Sequence, residues 1–465
     1  MLKQLGDIRY WILLFFIIRL FGITNPPLES GHHWRQTTVN MVARNFTESD
    51  QFDIFHPAID IAGEKSGITG MEFPIFNYCI SVSHQVFGFQ HWYGRLINLI
   101  ISSIGIWFFF RLIKDLSNKD IAFYAALILL VSIWFSYSRK IMPDTLSMSL
   151  MLTGVYYGLQ YFLKNKVIYL LWFGLLIGLG LLIKLPSGFI LPVFAIAIFS
   201  SKYALQQKVL FSISVATAAT PALIWYFYWV PYLVDTYQFW HFFMGESFAV
   251  GFKEITTHIN DTAQKFYEMA LKLIGFAAYL YGIYVIFKTR NKLAIAILAL
   301  GSFCFLIIML KAGNTFYRHD YYVIPFVPIM AWIAAIGVHS LPNIKWKVAV
   351  ISLIMIEGIL NQVGDFTVPD KHQFLLSLDS ELDKHSNPDD LFLINSNYLP
   401  TPMYFTHRKG WININEKIAI PDYIDDLKSK GLKYILILKK TMGTEVNLPY
   451  SKQIETEDYC LYKII

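Results

Sequence analysis

The sequence predicts a polytopic α-helical membrane protein with a small soluble α/β domain at its C-terminal end. Of the 465 residues, 55% are apolar and only 15% are charged, and the mean hydropathy is +0.44; this balance lies outside the range of soluble domains. Apolar runs of roughly 20 residues, the length that crosses a bilayer core, recur as far as about residue 364. From about Asp365 the composition is that of a soluble domain.

About eleven apolar runs are predicted to span the membrane. They cover approximately 8–24, 93–113, 120–138, 145–163, 167–183, 187–201, 209–230, 270–287, 293–310, 321–341 and 346–363. Segment 74–89 carries Asn77, His84 and Gln85, so we expect it to be an interfacial amphipathic helix rather than a span.

Positive charge between the spans predicts their orientation. Every second connection carries Lys or Arg, and together with Lys3 and Arg9 these cations place those connections in the cytoplasm. A few cations fall on the other, outer side, and cations kept where topology disfavours them are typical of anion binding. The exceptions are Arg139, Lys140, Lys184, Lys311 and Arg318. We therefore expect the functional face on the outer side of the cell membrane. The membrane itself is expected to be a bacterial inner membrane.

The C-terminal residues predict a domain of their own. We expect a helix over 371–385, a strand at Leu391–Ile394 and a helix over 421–430 that ends at Gly431. Two more strands are predicted at Lys433–Leu438 and Tyr459–Ile464. The predicted division is a membrane module over 1–364, with an external catalytic loop at 25–92, and an extracytoplasmic α/β domain over 365–465.

The first external loop combines aromatic, basic and acidic residues. Its stretch from His32 to Phe46 spaces Trp34, Val39 and Val42 in a pattern that suits a helix on the membrane surface with one apolar face. The start of this helix is expected to present His33, Arg35 and Gln36 to water. An ordinary interfacial helix anchored by Trp34 explains the pattern equally well.

The order of several short motifs resembles a known superfamily. The motifs are His32-x-Trp34-Arg35-Gln36, Ala43-Arg44-Asn45-Phe46, Pro57-x-Ile59-Asp60, Glu72-Phe73-Pro74-x-x-Asn77-Tyr78, Gly94-Arg95-Leu96, Ser138-Arg139 with Asp144, Lys184-x-Pro186 and His319-x-Tyr321-Tyr322-x-x-Pro325. Together they resemble the GT-C membrane glycosyltransferases, nearest to family 39, which includes the dolichyl-phosphate-mannose protein mannosyltransferases and the bacterial aminoarabinose transferase of lipid A. The resemblance covers most of residues 10–340.

The resemblance implies a GT-C-like fold and an enzyme that transfers a sugar, a hexose or a pentose, from a polyprenyl-phosphate carrier. The acceptor would be an envelope lipid, glycan or protein at the outer face, and the displacement would be single and inverting. Such enzymes usually keep an acidic residue at the head of the first-loop helix, where this chain has Arg35. A divalent metal is left open, because some GT-C enzymes use one and the family 39 type generally does not.

The chemistry of sugar transfer defines two kinds of residue. A carboxylate should accept the proton of the attacking hydroxyl, and Arg or Lys should neutralise the departing phosphate. The base candidates are Glu72 and Asp144, ranked together, then Asp60 and His33; Glu29 is a further candidate. The phosphate candidates are Lys184, Arg139 and Arg318. Further substrate contacts are expected from Trp34, Arg35, Gln36, His319 and Tyr321.

Simpler explanations apply to several of these residues. Asp144 follows Pro143 at the start of a span, so it serves equally as a helix cap. Lys184 can snorkel to the membrane surface, and Arg318 to Tyr322 can be an interfacial belt.

Two other classes of function compete with the enzyme. A transporter or flippase of lipid-linked sugars also carries polar residues on many helices, but near the bilayer midplane and often in internal repeats, whereas the ionisable residues here fall at outer span ends. An envelope scaffold explains the soluble C-terminal part but not the outer cations. Cys79, Cys304 and Cys460 lack disulfide or zinc spacing, and the net charge of +6 is spread between spans, so nucleic acid is not an expected partner.

Overall fold

The computed structural model describes residues 6–49, 53–239 and 245–464, so Lys3 lies outside the described residues. The chain forms two compact units. The first unit contains Met1–Ile23, Arg95–Tyr226 and Phe243–Gly364, and the second contains Thr24–Gly94, Phe227–Phe242 and Asp365–Ile465.

The first unit is built from helices. They are Ile8–Arg19, Tyr93–Leu116, Lys119–Val131, Trp134–Tyr137, Pro143–Lys164, Val167–Ile183, Leu185–Phe194 (3₁₀), Ala195–Ile198, Leu205–Ile224 continuing through Trp225–Trp229 (π) into the second unit, Phe248–Thr257, Ile259–Gln264, Lys265–Ala270 (π), Lys272–Lys288, Lys292–Ala312, Asn314–Arg318, Asp320–Phe326 (3₁₀), Val327–His339, Ile344–Leu360 and Val363–Phe366 (3₁₀). A helix lies in each of the eleven predicted apolar segments.

Within residues 6–49, 53–239 and 245–464, four helices are long and apolar enough to cross a membrane by themselves. They are Tyr93–Leu116, Leu205–Tyr237, Lys292–Ala312 and Asp320–His339. Two pairs, Ile259–Ala270 with Lys272–Lys288 and Ile344–Leu360 with Val363–Leu382, are bent by 97° and 42° and raise the number to six if each pair is one span. The chain is thus a helical membrane protein.

Asparagine side chains start three helices of the first unit. Asn118, Asn291 and Asn343 each accept a hydrogen bond from the backbone N–H three residues further on, at 2.9, 3.2 and 3.1 Å. Such caps satisfy one of the backbone donors that a helix N-terminus leaves without an intrahelical partner. The short polar connections before these helices therefore define where each helix begins.

The second unit contains a five-stranded sheet and short helices. The strands are β1 Leu391–Ile394, β2 Lys409–Ile412, β3 Leu432–Leu438, β4 Ser451–Glu455 and β5 Tyr459–Lys463, in the order β2-β1-β3-β5-β4. Strand β1 is parallel to β2 and β3, and β5 is antiparallel to β3 and β4. The helices are His33–Glu48, Ile75–Phe87, Val230–Tyr237, Asp370–Ser377 (3₁₀), Leu378–Leu382, Thr401–Thr406, Asn415–Ile418 and Pro421–Ser429.

Residues of segment 25–92, which the sequence predicts to be an external loop, share a hydrophobic core with the sheet. Leu28, Met41 and Met71 belong to the same buried cluster as Phe392 and Leu436. A second cluster on the sheet is made by C-terminal residues alone. The second unit therefore joins the loop to the C-terminal segment, a grouping that the predicted division into 1–364 and 365–465 does not include.

The helix predicted in the first loop is present, but the prediction that it lies on a surface with only one face buried is wrong. His33–Glu48 buries every residue from Gln36 to Arg44, whereas a surface helix would bury one face only. Gln36, expected to face water, is fully buried. The reason is that this helix packs against both Ile75–Phe87 and Thr401–Thr406. We call His33–Glu48 the loop helix below.

Segment 74–89 contains the helix Ile75–Phe87, which has 13 residues. At about 1.5 Å per residue it is some 20 Å long, shorter than a bilayer core of about 30 Å. Its buried residues include Phe76, Ile80 and His84, while Val82 and Val86 are exposed. It is amphipathic, as the sequence predicts.

Candidate active site

Asp144 and Lys184 form a buried ion pair in the first unit. Asp144 is the second residue of the helix Pro143–Lys164, and Lys184 is the residue that follows Val167–Ile183. The Lys184 Nζ contacts Asp144 Oδ1. The N-cap residue of this helix, Met142, makes no side-chain cap hydrogen bond. Asp144 lies in the first turn, where the helix dipole favours a carboxylate. Its second oxygen, Oδ2, is buried and has no hydrogen-bond partner among the described residues.

An aromatic wall borders this ion pair. The Lys184 Nζ lies 4.7 Å from the ring centre of Tyr321 and 5.4 Å from that of Tyr322. His319 stacks on Tyr321 with ring centres 5.3 Å apart. Rings that face a cation in a dry site contribute about 0.5–2 kcal/mol. The resemblance motif at 319–325 therefore folds against the motif at Lys184.

More charge lies beside the aromatic wall. Lys265, which the sequence analysis did not single out, contacts the Asp320 carboxylate at 2.6 Å, and Arg318 is exposed. Burial lowers the pKa of His319; Asp320 acts in the opposite direction, and Lys184, Lys265 and Arg318 lower this pKa further. Together these effects favour the neutral form of the imidazole. We call Asp144, Lys184, His319, Tyr321 and Tyr322 the lysine cluster.

Arg139 occupies a structural position. Its guanidinium donates to the carbonyl oxygens of Phe21 and Gly22 at 2.5 and 2.8 Å, just beyond the helix Ile8–Arg19. Arg95 donates to the Ile23 carbonyl at 3.4 Å. Carbonyl groups at a helix C-terminus attract cations. This geometry explains why a buried arginine lies here without assigning it to a phosphate.

The second unit holds another ion pair, between Arg35 and Glu72. The Arg35 guanidinium contacts Glu72 Oε1, and Glu72 is buried. Its Oε2 is also buried and is without a hydrogen-bond partner among the residues described. A carboxylate oxygen that is shielded from water and accepts no hydrogen bond retains its capacity to take a proton.

Asp60 differs from Glu72 because both of its oxygens are engaged. Oδ2 accepts from Arg44 and Oδ1 from Asn45, each at 2.9 Å. Arg44 also donates to the Tyr404 carbonyl at 2.9 Å, and its guanidinium lies 4.8 Å from the Tyr404 ring centre. The Asp60 carbonyl accepts from Gly410 in β2 at 2.9 Å. Asp60 thus fastens the loop to the C-terminal segment.

The remaining loop candidates also contact the C-terminal segment or their own loop. His33 Nδ1 lies 2.9 Å from Thr401 Oγ1, and its ring centre is 5.6 Å from that of His372. Glu29 is buried and accepts from the Asn25 amide at 3.1 Å. Trp34 is half-buried, with its ring centre 6.5 Å from that of His32.

Sequence reasoning missed several of these partners. Arg44 and Asn45 were part of a recognised motif but had no assigned role, and Thr401, Tyr404 and Lys265 were not singled out. Within residues 6–49, 53–239 and 245–464, no group of three or more His, Cys, Asp and Glu side chains is placed to hold a metal ion. The metal dependence stays open.

Comparisons with known proteins define the fold. The family described as dolichyl-phosphate-mannose-protein mannosyltransferase matches residues 71–229, which include Glu72, Asp144 and Lys184. The apo structure of ArnT from Cupriavidus metallidurans is similar with a TM-score of 0.64 at 12% identity, over 97% of each chain. The structure of that protein bound to undecaprenyl phosphate gives 0.59 at 11% identity, over 97% of this chain and 98% of the other.

A third similar structure is the apo oligosaccharyltransferase of Archaeoglobus fulgidus, with a TM-score of 0.56 at 14% identity over 92% of this chain and 69% of that one. No curated protein sequence matches the chain. The fold is thus that of a GT-C membrane protein. The resemblance to GT-C membrane glycosyltransferases is confirmed, and the transferases among these matches support an enzyme.

Proposed function

We propose that the protein transfers a sugar from a polyprenyl-phosphate carrier to an acceptor in the cell envelope. The observation that carries the proposal is the Lys184–Asp144 ion pair, buried beside Tyr321 and Tyr322. A lysine held in a low-dielectric site is suited to a phosphate oxygen, because the charge is poorly screened there. Asp144 is the internal counter-ion that keeps this lysine charged and positioned.

The proposed inverting transfer needs one carboxylate that accepts the proton of the attacking hydroxyl. The acceptor oxygen forms a bond to the anomeric carbon on one face of the sugar while the bond from that carbon to the phosphate oxygen breaks on the other. Asp144 is engaged with Lys184. Our preferred base is Glu72, because its Oε2 is buried and has no hydrogen-bond partner among the described residues. In the proposed step Glu72 Oε2 takes the hydroxyl proton, and the electron pair of the broken bond stays on the phosphate.

The similar structures support this class of donor. ArnT has been solved with undecaprenyl phosphate, and the Archaeoglobus fulgidus enzyme AglB with a dolichol phosphate and an inhibitory peptide. We extend a polyprenyl-phosphate donor to this chain on that basis. The sugar, a hexose or a pentose, and the acceptor, whether a lipid, a glycan or a protein, are proposed only as classes.

We further propose the membrane arrangement that the sequence predicts, with eleven spans, an extracytoplasmic soluble part over 365–465 and an outer active site in a bacterial inner membrane. Cysteine at Lys166 should be shielded from a membrane-impermeant thiol reagent in intact cells, and cysteine at Asp389 should be labelled. The background should have Cys79 replaced by serine, since Cys79 is exposed. Labelling at Lys166 from outside would overturn the orientation.

The donor can be identified by mass spectrometry of the lipids that co-purify with the protein. We expect a sugar-loaded polyprenyl phosphate that is enriched with the unaltered protein and depleted in Lys184→Ala. Lys202→Ala removes an exposed lysine and should leave the enrichment unchanged. Equal enrichment in all three samples would contradict the role of Lys184.

The transporter alternative is separated by following the products. A transferase incubated with envelope extract releases one polyprenyl phosphate for each glycosylated acceptor formed. A flippase moves the intact donor across a vesicle membrane and releases no polyprenyl phosphate. Movement of intact donor without release would refute the enzyme.

A further inference from the structure

A cavity of about 480 Å³ lies in the first unit near the C-terminal ends of the helices Tyr93–Leu116 and Pro143–Lys164. Its lining includes the charged residues Arg111, Lys114, Asp115 and Lys164 and the aromatic residues Trp107 and Tyr156. Because Tyr93–Leu116 is a candidate membrane span, the end that carries Arg111 and Lys114 lies at a membrane surface.

This cavity is remote from the lysine cluster. Asp144 stands at the start of the helix Pro143–Lys164 and Lys164 at its end. The 22 residues of this helix extend about 33 Å at 1.5 Å per residue. That length is close to the thickness of a bilayer core, about 30 Å, so the cavity belongs to the opposite membrane surface and the proposed sugar transfer does not use it.

The lining carries three cations and a single acid. The acid, Asp115, accepts a hydrogen bond from Gln160 at 2.6 Å. Arg111, Lys114 and Lys164 form no ion pair with an acidic side chain in the part of the chain that the structure describes. The cavity is therefore positively charged and its cations are available to an anion.

The location of these cations at helix C-termini explains their presence in part, but it does not explain why they surround a cavity. Cations are favoured at helix C-termini and in cytoplasmic connections, and neither effect requires a cavity. Here the Arg111 guanidinium lies 4.6 Å from the ring centre of Tyr156, which is buried, and 5.9 Å from that of Phe108. Stacking restricts the side chain while it leaves the planar N–H donors able to reach an anion.

An apolar stripe leads away from these cations along the membrane-spanning helix. Ile100, Ile104, Trp107 and Arg111 follow one another at intervals of four, three and four residues, which places them on one helix face. Ile100 and Ile104 are exposed. A free phosphate ion would make no favourable contact with this apolar stripe, whereas the acyl chain of a lipid would pack against it.

We propose that this cavity binds the phosphate headgroup of an anionic phospholipid, with its acyl chains along the Ile100–Ile104 face. Arg111, Lys114 and Lys164 contact the phosphate oxygens, and Tyr156 holds Arg111 in place. Basic pockets at helix ends on one membrane surface are suited to such headgroups. The inference does not depend on the proposed transfer reaction.

The test is to reconstitute the full chain in phosphatidylcholine discs that contain a minor fraction of phosphatidylglycerol. Native mass spectrometry then counts the phosphatidylglycerol molecules that stay bound. The triple variant Arg111→Gln, Lys114→Gln, Lys164→Gln should weaken retention by at least about 100-fold, since each direct charge-assisted contact to a phosphate oxygen is worth roughly 10- to 150-fold. A single variant, Lys114→Gln, changes an exposed residue and should weaken retention by that single factor, which keeps the test valid if the triple variant does not fold.

The matched control is Lys288→Gln, Arg290→Gln, Lys292→Gln, which removes the same charge from exposed residues outside the cavity. It should retain phosphatidylglycerol as the unaltered protein does. Equal loss in both triple variants would mean unspecific attraction and would overturn the site. Displacement of the lipid by excess inorganic phosphate would also overturn the proposed lipid site. A site that contacts both the phosphate and the acyl chains should bind the lipid more tightly than it binds inorganic phosphate.

Discussion

Two arginine–carboxylate pairs of the second unit take their arginines from the same helix but differ in whether both carboxylate oxygens accept a hydrogen bond. The loop helix supplies both arginines, Arg35 for Glu72 and Arg44 for Asp60. The Asp60 carboxylate accepts a hydrogen bond on each oxygen. Glu72 has one buried oxygen, Oε2, without a partner among the described residues.

The difference separates structure from chemistry. A carboxylate whose oxygens are both engaged with buried donors satisfies those donors and so stabilises the fold. A buried oxygen without a partner costs stability, so its presence indicates a role other than stability. We therefore propose that Asp60 attaches the loop and that Glu72 takes part in the reaction.

The largest expected effect on stability comes from breaking the Asp60 pair. Asp60→Ala leaves the buried Arg44 guanidinium without its counter-ion, which typically costs about 3–5 kcal/mol. The midpoint of thermal unfolding in detergent should fall clearly. Asp389→Ala, at an exposed position of the same unit, should change it little. An unfolding midpoint unchanged in Asp60→Ala would remove the structural half of the comparison.

A smaller effect is expected from a substitution in the lysine cluster. Like Glu72, Asp144 in this cluster has one buried oxygen without a hydrogen-bond partner among the described residues. Lys184→Ala removes a charge-assisted contact to the carrier phosphate worth about 1.5–3 kcal/mol. Donor affinity should therefore fall by roughly 10- to 150-fold, as measured by titration with the co-purified donor. Arg318→Ala, at an exposed residue, tests whether that cation contributes as well. Unchanged affinity in Lys184→Ala would contradict the phosphate role.

The aromatic wall should contribute less than the lysine charge. Tyr321→Leu removes the ring that faces Lys184 at 4.7 Å, a contact worth about 0.5–2 kcal/mol. Donor affinity should fall by about 2- to 30-fold. Tyr321→Phe keeps the ring and should bind donor nearly as tightly. If Tyr321→Phe loses as much affinity as Tyr321→Leu, the hydroxyl rather than the ring is what matters.

The smallest effect concerns the exposed pair between His407 and Glu48. The hydrogen bond to Glu48 raises the pKa of His407 from 6.5. This pair therefore stabilises the fold below about pH 6.5, and the contribution is lost as the pH rises through the raised pKa. His407 is 40% exposed, so solvent screening limits the contribution to about 0.2–1 kcal/mol.

The measurement is the unfolding midpoint as a function of pH. Between about pH 6 and pH 9, a range that contains the ordinary pKa of a histidine side chain and the raised pKa of His407, the unaltered protein should lose slightly more stability than His407→Gln. An equal decline in both proteins would show that this pair contributes nothing.

The strands that the sequence predicts and those that it does not predict occupy different positions in the sheet. The predicted strands β1, β3 and β5 are the three inner strands of the sheet, and they carry nearly continuous buried apolar residues. The strands that were not predicted, β2 and β4, are its two edges. Strand β4 is almost entirely exposed and so gives little hydrophobic signal.

The loop helix shows what sequence periodicity cannot supply. Its existence was predicted, but its burial depends on partners far away along the chain, such as Thr401 for His33 and Tyr404 for Arg44. Local pattern carries no information about contacts more than 350 residues apart. For the same reason the sequence could name Glu72 and, behind it, Asp60 as base candidates but could not show that both oxygens of Asp60 are engaged by Arg44 and Asn45.

The most direct test of the central claim is a turnover measurement on Glu72→Gln and Asp60→Asn with the co-purified donor, expressed per folded, donor-binding molecule. Loss of a general base typically costs about 100- to 10,000-fold in rate. We predict a loss of this size in Glu72→Gln, with donor binding retained, and near-normal turnover of the folded fraction of Asp60→Asn. Near-normal turnover in Glu72→Gln, or an equal loss in Asp60→Asn, would contradict the assignment.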